Sequence, residues 1–167
     1  MFDSNLIQKS KLLFNLATKF SIKISTAESC TSGLLAALIT EIPGSSIIFE
    51  RGFITYSNLA KEQLLDIDKN IIEKFGAVSS EVSKAMAIGS INNSVANLSV
   101  AITGIAGPNG GSKEKPVGLV YIASYLQLNK RLLNKKFYFS GNREEVRIAS
   151  VNAAIDILIN QIEHKNG

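Results

Sequence analysis

The sequence predicts an α/β fold: a three-layer α/β/α sandwich built on a mixed, mostly parallel sheet of about five strands. Three observations carry this expectation. Helix-patterned segments alternate with β-rich ones along the chain. Two late strand segments are joined only by Gln127 to Lys130, a connection too short for anything but an antiparallel hairpin. The 167 residues are 46% hydrophobic, enough for one domain, residues 1–167, with a core of its own. No linker or internal repeat divides it.

The elements follow in order. Leu6, Leu13, Leu16, Ala17 and Phe20 share one face of a helix over about Ser4 to Lys19. Ser21 to Thr26 alternates and is rich in β-branched residues, so it reads as a short strand. An apolar helix follows, roughly Ser32 to Glu41, closed by Pro43-Gly44, and Ser46 to Ser57 is the second strand region. Asn58 is the expected cap of a helix over Leu59 to Leu65. Asp68 caps the next, which Gly76 ends. Ser79 or Ser80 opens another, with Val82, Ala85, Met86 and Gly89 on one face. Leu98 to Gly107 is a buried strand running into a glycine-rich loop, and Val117–Leu126 with Arg131–Ser140 forms the hairpin. The last helix opens on a capping box, Asn142-x-x-Glu145, and carries the stripe Ile148, Val151, Ile155, Leu158 and Ile162.

Composition removes several function classes. A single cysteine, Cys30, rules out an internal disulfide and any multi-cysteine metal site, and it suits a reducing compartment. No stretch approaches the ~18 apolar residues of a membrane span, and the N-terminus lacks a signal peptide's continuous apolar region, so a cytoplasmic protein without a membrane partner is expected. The net charge of +4 admits an anionic partner but equally suits an ordinary surface. The only histidine, His164, lies in a polar C-terminal segment. Nothing there would hold it against a nucleophile as a Ser-His-Asp triad requires, so any general base is a Lys, Tyr, Asp or Glu.

Chemistry has three places to sit. The first is Thr26-Ala-Glu-Ser-Cys-Thr-Ser-Gly33, a strand-to-helix turn crowded with hydroxyl and thiol groups. Such turns bind ligands in open α/β sheets, although Ser and Thr there also serve simply as helix caps. The second is Thr55-Tyr-Ser-Asn-Leu-Ala-Lys61. With Asn58 as cap, Lys61 lies in the first helical turn. Burial would lower its pKa and make a neutral base, with Tyr56 to orient it; the alternative is a solvated surface lysine. The third is Thr103 to Gly118, where Gly104, Gly107, Gly110 and Gly111 precede two lysines. Its backbone N–H groups are suited to an anion, but it has neither the Walker nor the GxGxxG spacing, and a mobile surface loop is the plainer alternative.

Together TAESCTSG, Gly44 to Lys61, Gly76 to Ser79 and GIAGPNGGSKEKPVG resemble the CinA C-terminal domain family over about Thr26 to Arg147. Its stand-alone members are nicotinamide-nucleotide amidohydrolases (PncC) of pyridine nucleotide recycling. Larger members carry an N-terminal nucleotide-pyrophosphatase-like domain, for which this chain has no room. The resemblance implies hydrolysis of the carboxamide of nicotinamide mononucleotide to nicotinate mononucleotide and ammonia. It makes Ser29 the nucleophile and Lys61 the general base, with polar support from Tyr56, Ser46, Thr103 and Arg143. The family commonly has TGG where this chain has Thr31-Ser32-Gly33, so Ser32 adds a side chain beside the nucleophile. No metal and no cofactor is implied.

An amide needs an activated nucleophile and a stabilised oxyanion. The expected oxyanion donors are backbone N–H groups at the start of the following helix. The expected phosphate site is the glycine loop with Arg143, because guanidinium matches phosphate. Cys30 competes with Ser29 as nucleophile, but a lone cysteine beside an apolar helix is expected to be buried packing. The alternative function is a non-enzymatic nucleic-acid or protein-binding module linked to competence or DNA damage. It rests on Lys130-Arg131 and Lys135-Lys136 beside Phe137-Tyr138-Phe139, which also reads as a strand edge guarded by lysines, so nucleic acid is not the expected partner. The partner is the small-molecule substrate, and a homodimer is the commonest assembly to expect.

Overall fold

All five residues of strand β1, Ile24–Glu28, are buried, and β1 is the strand around which the sheet is laid out. The computed structural model describes residues 2–165. In chain order the elements are α1 (Ser4–Lys19), β1, α2 (Leu34–Thr40), β2 (Phe49–Ile54), α3 (Asn58–Leu65), α4 (Lys69–Phe75), α5 (Ser80–Asn92), β3 (Leu98–Gly104), β4 (Leu119–Leu126), β5 (Arg131–Tyr138) and α6 (Arg143–Glu163). The sheet order is β2-β1-β3-β4-β5. β1 is parallel to both neighbours, while β4 runs against β3 and β5. Four strands therefore point one way and β4 the other, the mixed five-stranded α/β sheet that the alternation of elements predicts.

Alternating side chains sort the two faces. Val100, Ile102 and Ile122 pack under Leu13 of α1, Leu35 and Leu38 of α2, and Val151 and Ile155 of α6. Their neighbours Ala101 and Ala123, with Ala27, turn to the other face and pack under Leu65 of α3, Ile72 of α4, and Val82 and Met86 of α5. Large residues on one face and alanines on the other let α5 lie close over the strands.

Several boundaries move from their sequence-based positions, each for a local reason. β1 begins at Ile24 rather than Ser21, because Ser21 turns out of α1 with φ +53°, and it runs on to Glu28. Ser45–Ile47 forms a 3-10 turn, so β2 starts at Phe49. α2 starts only at Leu34, after left-handed residues at Ser32 and Gly33. Ser57, not Asn58, caps α3 by accepting from the Ala60 N–H, which puts Lys61 just beyond the first turn. The caps at Asp68 and Ser79 and the Asn142–Glu145 capping box are as the sequence predicts. Among the described residues no helix is long and apolar enough to cross a membrane.

From β1 the chain crosses through α2 to β2 on one side, then through α3, α4 and α5 to β3 on the other. The two crossovers cover opposite faces, so the chain parts at the carboxyl ends of β1 and β3, where open α/β sheets form their binding crevice.

Candidate active site

Four strand ends deliver side chains to this crevice. Ser29 follows β1, and its N–H donates to the Ile102 carbonyl of β3 at 3.0 Å. Tyr56 and Lys61 follow β2, Thr103 and Gly104 end β3, and Arg143 opens α6 just after β5. β4 runs backwards, so the loop from Ile105 to Gly118 starts and finishes at this same edge. The result is a cavity of about 260 Å³ whose lining includes Ser29, Cys30, Tyr56, Lys61, Thr103, Gly104, Gly107, Asn109, Gly110 and Arg143.

Lys61 is 1% exposed. Its Nζ lies 3.3 Å from Ser29 Oγ, 2.9 Å from the Thr55 carbonyl and 3.5 Å from the Tyr56 carbonyl. Among the described residues no carboxylate pairs with it. Desolvation therefore pushes its pKa below the ordinary lysine value. A neutral amine has two N–H groups and one lone pair. When Lys61 is neutral, the two carbonyls can take its N–H groups and leave the lone pair for the hydroxyl of Ser29. Tyr56 thus meets Lys61 through its main chain. Its phenolic oxygen instead accepts from Arg143 Nη2 at 3.3 Å, so the expected orienting contact does not come from the phenol.

This burial has a consequence for stability. The folded-state pKa of Lys61 lies below its unfolded value, so between the two the unfolded chain binds more protons and stability rises with pH. The contribution is missing below the folded pKa and fully recovered above 10.5. In calorimetry from pH 6 to 10, wild-type Tm is expected to climb relative to Lys61→Met. Each kcal/mol recovered amounts to about 2–4 °C at this chain length. Parallel Tm curves for the two proteins would contradict the assignment.

Cys30 is 5% exposed and belongs to the core cluster. Burial, with a smaller contribution from Glu28, pushes its thiol up to about 11, so the thiolate is not available as a nucleophile near neutrality.

The start of α2 corrects two expectations. The carboxylate of Glu28, itself 1% exposed, accepts from the N–H groups of Gly33, Leu35 and Ala36 at 3.0, 3.1 and 2.9 Å. The Leu34 N–H goes to the Thr31 carbonyl. The helix start therefore has no N–H to offer an oxyanion, and no Ser or Thr caps it. By contrast, the N–H groups of Cys30 and Thr31 donate to no oxygen among the described residues. Thr31 is fully buried and its carbonyl accepts from Arg147, while the exposed Ser32 hydroxyl donates to the Ser29 carbonyl. Neither these residues nor Gly33 lines the cavity. Glu28 and Arg147 were missed in the sequence. The signal for Glu28 was a carboxylate just ahead of a helix start, where the dipole favours it.

Ser46 lies in the 3-10 turn ahead of β2, where its carbonyl accepts from Lys23 at 3.4 Å. That is the amino edge of the sheet, a strand's length of ~16 Å from Ser29, so Ser46 is not part of this cavity. His164 ends α6, about 30 Å along the helix from Arg143.

On the loop, the N–H groups of Gly107, Asn109 and Gly110 face no acceptor among the described residues. Gly107 has φ +83°, and a Cβ there would fall 2.6 Å from Val117 Cγ1. At Gly104 a Cβ would fall 2.6 Å from Val120 Cγ2, so that wall admits no side chain. Gly111 turns away toward Pro116 and Val117 and does not line the cavity. Lys115 is committed to the Phe75 carbonyl at 2.7 Å, and Thr103 Oγ1 donates to the Ala77 carbonyl. Arg143 Nη1 donates to the Gly107 carbonyl at 2.8 Å. A larger cavity of about 670 Å³ adjoins across Arg143 and Ala106, walled by Leu34, Pro108, Val117 and Ile148 with Glu144 and Arg147. It holds no nucleophile, so the chemistry belongs to the smaller one.

β5 is an edge strand, and Lys136 Nζ sits 4.9 Å from the Tyr138 ring centroid and 5.8 Å from that of Tyr121. Phe137 and Phe139 stack on each other and pack against the core. Phe137 and Phe139 are thus engaged within the chain, while Tyr138 stays exposed.

Comparison with known proteins gives the family and the fold. The CinA C-terminal domain model matches residues 7–162. A CinA-like protein of Geotalea uraniireducens is 50% identical over 135 residues, which are 81% of this chain and 32% of that protein. One from Prochlorococcus marinus is 48% identical over 156 residues, 92% of this chain and 35% of that protein. The chain thus spans about a third of the length of the curated relatives it matches. The crystal structure of competence/damage inducible protein CihA from Agrobacterium tumefaciens superposes with a TM-score of 0.93 at 42% identity, over 96% of this chain and 97% of that one.

Proposed function

Because the chain belongs to the CinA C-terminal domain family, we propose that it hydrolyses the carboxamide of nicotinamide mononucleotide to nicotinate mononucleotide and ammonia. One observation carries this reading: a fully buried lysine with no carboxylate partner among the described residues, its Nζ 3.3 Å from the hydroxyl of Ser29.

Neutral Lys61 takes the proton of Ser29, and Ser29 Oγ attacks the carboxamide carbon. The N–H of Cys30, the first after the nucleophile and on a residue that lines the cavity, receives the oxyanion. The Lys61 ammonium, steadied by the Thr55 and Tyr56 carbonyls, returns its proton to the leaving nitrogen, and ammonia departs. Water then gives its proton to Lys61 and attacks the ester. As the second oxyanion collapses, Lys61 passes that proton to Ser29 Oγ, which frees the acid and restores the hydroxyl and the neutral amine. The loop N–H groups of Gly107, Asn109 and Gly110, with Arg143, offer donors for the 5′-phosphate. A reducing cytoplasm suits the lone thiol. The alternative nucleic-acid role has less support, since Phe137 and Phe139 stack on each other and pack against the core.

The test is ammonia release from nicotinamide mononucleotide as a function of pH. Activity should rise with pH along a limb set by Lys61, at a pH below the ordinary 10.5. Bound pyridinium, a cation beside the amine, disfavours the ammonium further, so the limb in kcat should lie at lower pH than the limb in kcat/KM. No ammonia from the nucleotide, or a limb that persists in Lys61→Arg, would refute the reading.

A further inference from the structure

Glu28 has no step in that mechanism, yet it is sealed at the end of β1 with the nucleophile as its next residue. Among the described residues no Lys or Arg pairs with it. Its partners are the N–H groups of Gly33 and Leu35 on Oε2 and of Ala36 on Oε1. Charge-assisted bonds of this kind are strong, and a buried carboxylate needs them. They tie residue 28 to residues 33–36 and close the intervening residues into a short loop. That loop passes through left-handed backbone at Ser32 (φ +50°) and Gly33 (φ +91°), a path a non-glycine residue such as Ser32 rarely keeps unless its surroundings fix it.

We propose that Glu28 is the positioning residue of the nucleophile: by gathering the N–H groups of Gly33, Leu35 and Ala36, its carboxylate holds residues 29–32 in the conformation that presents Ser29 Oγ to Lys61 Nζ. This deepens the amidohydrolase reading and rests on it. The role is geometric. Glu28 is not among the groups that shift Lys61, whose pKa is lowered by desolvation.

The test uses a fluorophosphonate, which phosphonylates an activated serine with loss of fluoride and reads nucleophile placement without the natural substrate. Glu28→Gln keeps the length, loses the charge and sets an NH₂ against N–H donors. Glu28→Asp keeps the charge but is one methylene short. Both, folded by circular dichroism, should label at Ser29 about 10–100-fold more slowly than wild type, as misplacement of ~1 Å can cause. The pH midpoint of labelling should stay where it is in wild type. Cys30 gives an internal gauge, since Glu28 raises its pKa: Glu28→Gln should lower the pH at which a thiol reagent reacts, and Glu28→Asp should not. If one variant does not fold, the other decides. Wild-type labelling by either folded variant overturns the proposal, and so does a moved midpoint, which would make Glu28 an electrostatic group. A wild-type protein unlabelled at Ser29 overturns the Ser–Lys reading itself, and the positioning role with it.

Discussion

Ser29→Ala and Lys61→Met should each reduce ammonia release from nicotinamide mononucleotide by about a thousandfold or more, and the double variant should be no worse than either. The shared floor is the informative part. Ser29 Oγ has one base within reach, and Lys61 Nζ has one hydroxyl, at 3.3 Å. Once either is gone, the other has nothing to act on, so the losses do not multiply. Cys30→Ala, by contrast, should leave kcat within a few-fold of wild type, because a thiol pushed up to about 11 contributes almost no thiolate near neutrality. Circular dichroism separates lost chemistry from lost fold. Losses that multiply in the double variant, or a dead Cys30→Ala beside an active Ser29→Ala, would reverse the assignment.

On the proposed function, nicotinamide mononucleotide should be preferred over nicotinamide riboside by ~10–150-fold in kcat/KM, the effect of a charge-assisted contact of ~1.5–3 kcal/mol. Arg143→Ala should remove most of that preference. Arg143 spends one N–H on the Gly107 carbonyl and one on the Tyr56 hydroxyl, and a guanidinium has further donors beyond these. The ratio of the two substrates is therefore the quantity to measure. If Arg143 only braced the loop and Tyr56, both substrates would lose equally and the ratio would hold. If it meets phosphate, the nucleotide loses far more than the riboside. Equal kcat/KM for both substrates in wild type would return the glycine loop to an ordinary surface connection.

The layer order, the hairpin and most caps were legible because they rest on local chemistry. Asp68, Ser79 and the Asn142–Glu145 box announce helix starts within a few residues of themselves. Lys61 was legible as a candidate but not as a buried one. Its desolvation is supplied by strands and helices far away in sequence, and its own helix gives no hint of it. Glu28 was hidden for a related reason. A carboxylate next to a serine reads as a polar turn, and only the α2 amides, five to eight residues on, reveal that it lies inside the protein. Ser46 erred the other way: residues near one another in a motif can lie at opposite edges of a strand. The phenol of Tyr56 found Arg143, 87 residues away, a contact that no local pattern encodes.

The placement of β1 between β2 and β3 also bears on how the chain acquires activity. β1 forms early in the sequence, but both of its partners come later, each by a parallel crossover, and such long-range pairings are slow to close. Ser29 and Lys61 hang from the ends of different strands, so they meet only when the β1–β2 register is complete, from Ile24 opposite Phe49 to Glu28 opposite Ile54. A collapsed chain with its helices formed and that ladder still open would look nearly native by its helical content, yet its lysine would be wet, charged and out of reach of any hydroxyl. Turnover during refolding would then trail the recovery of helix, reporting the last strand to dock.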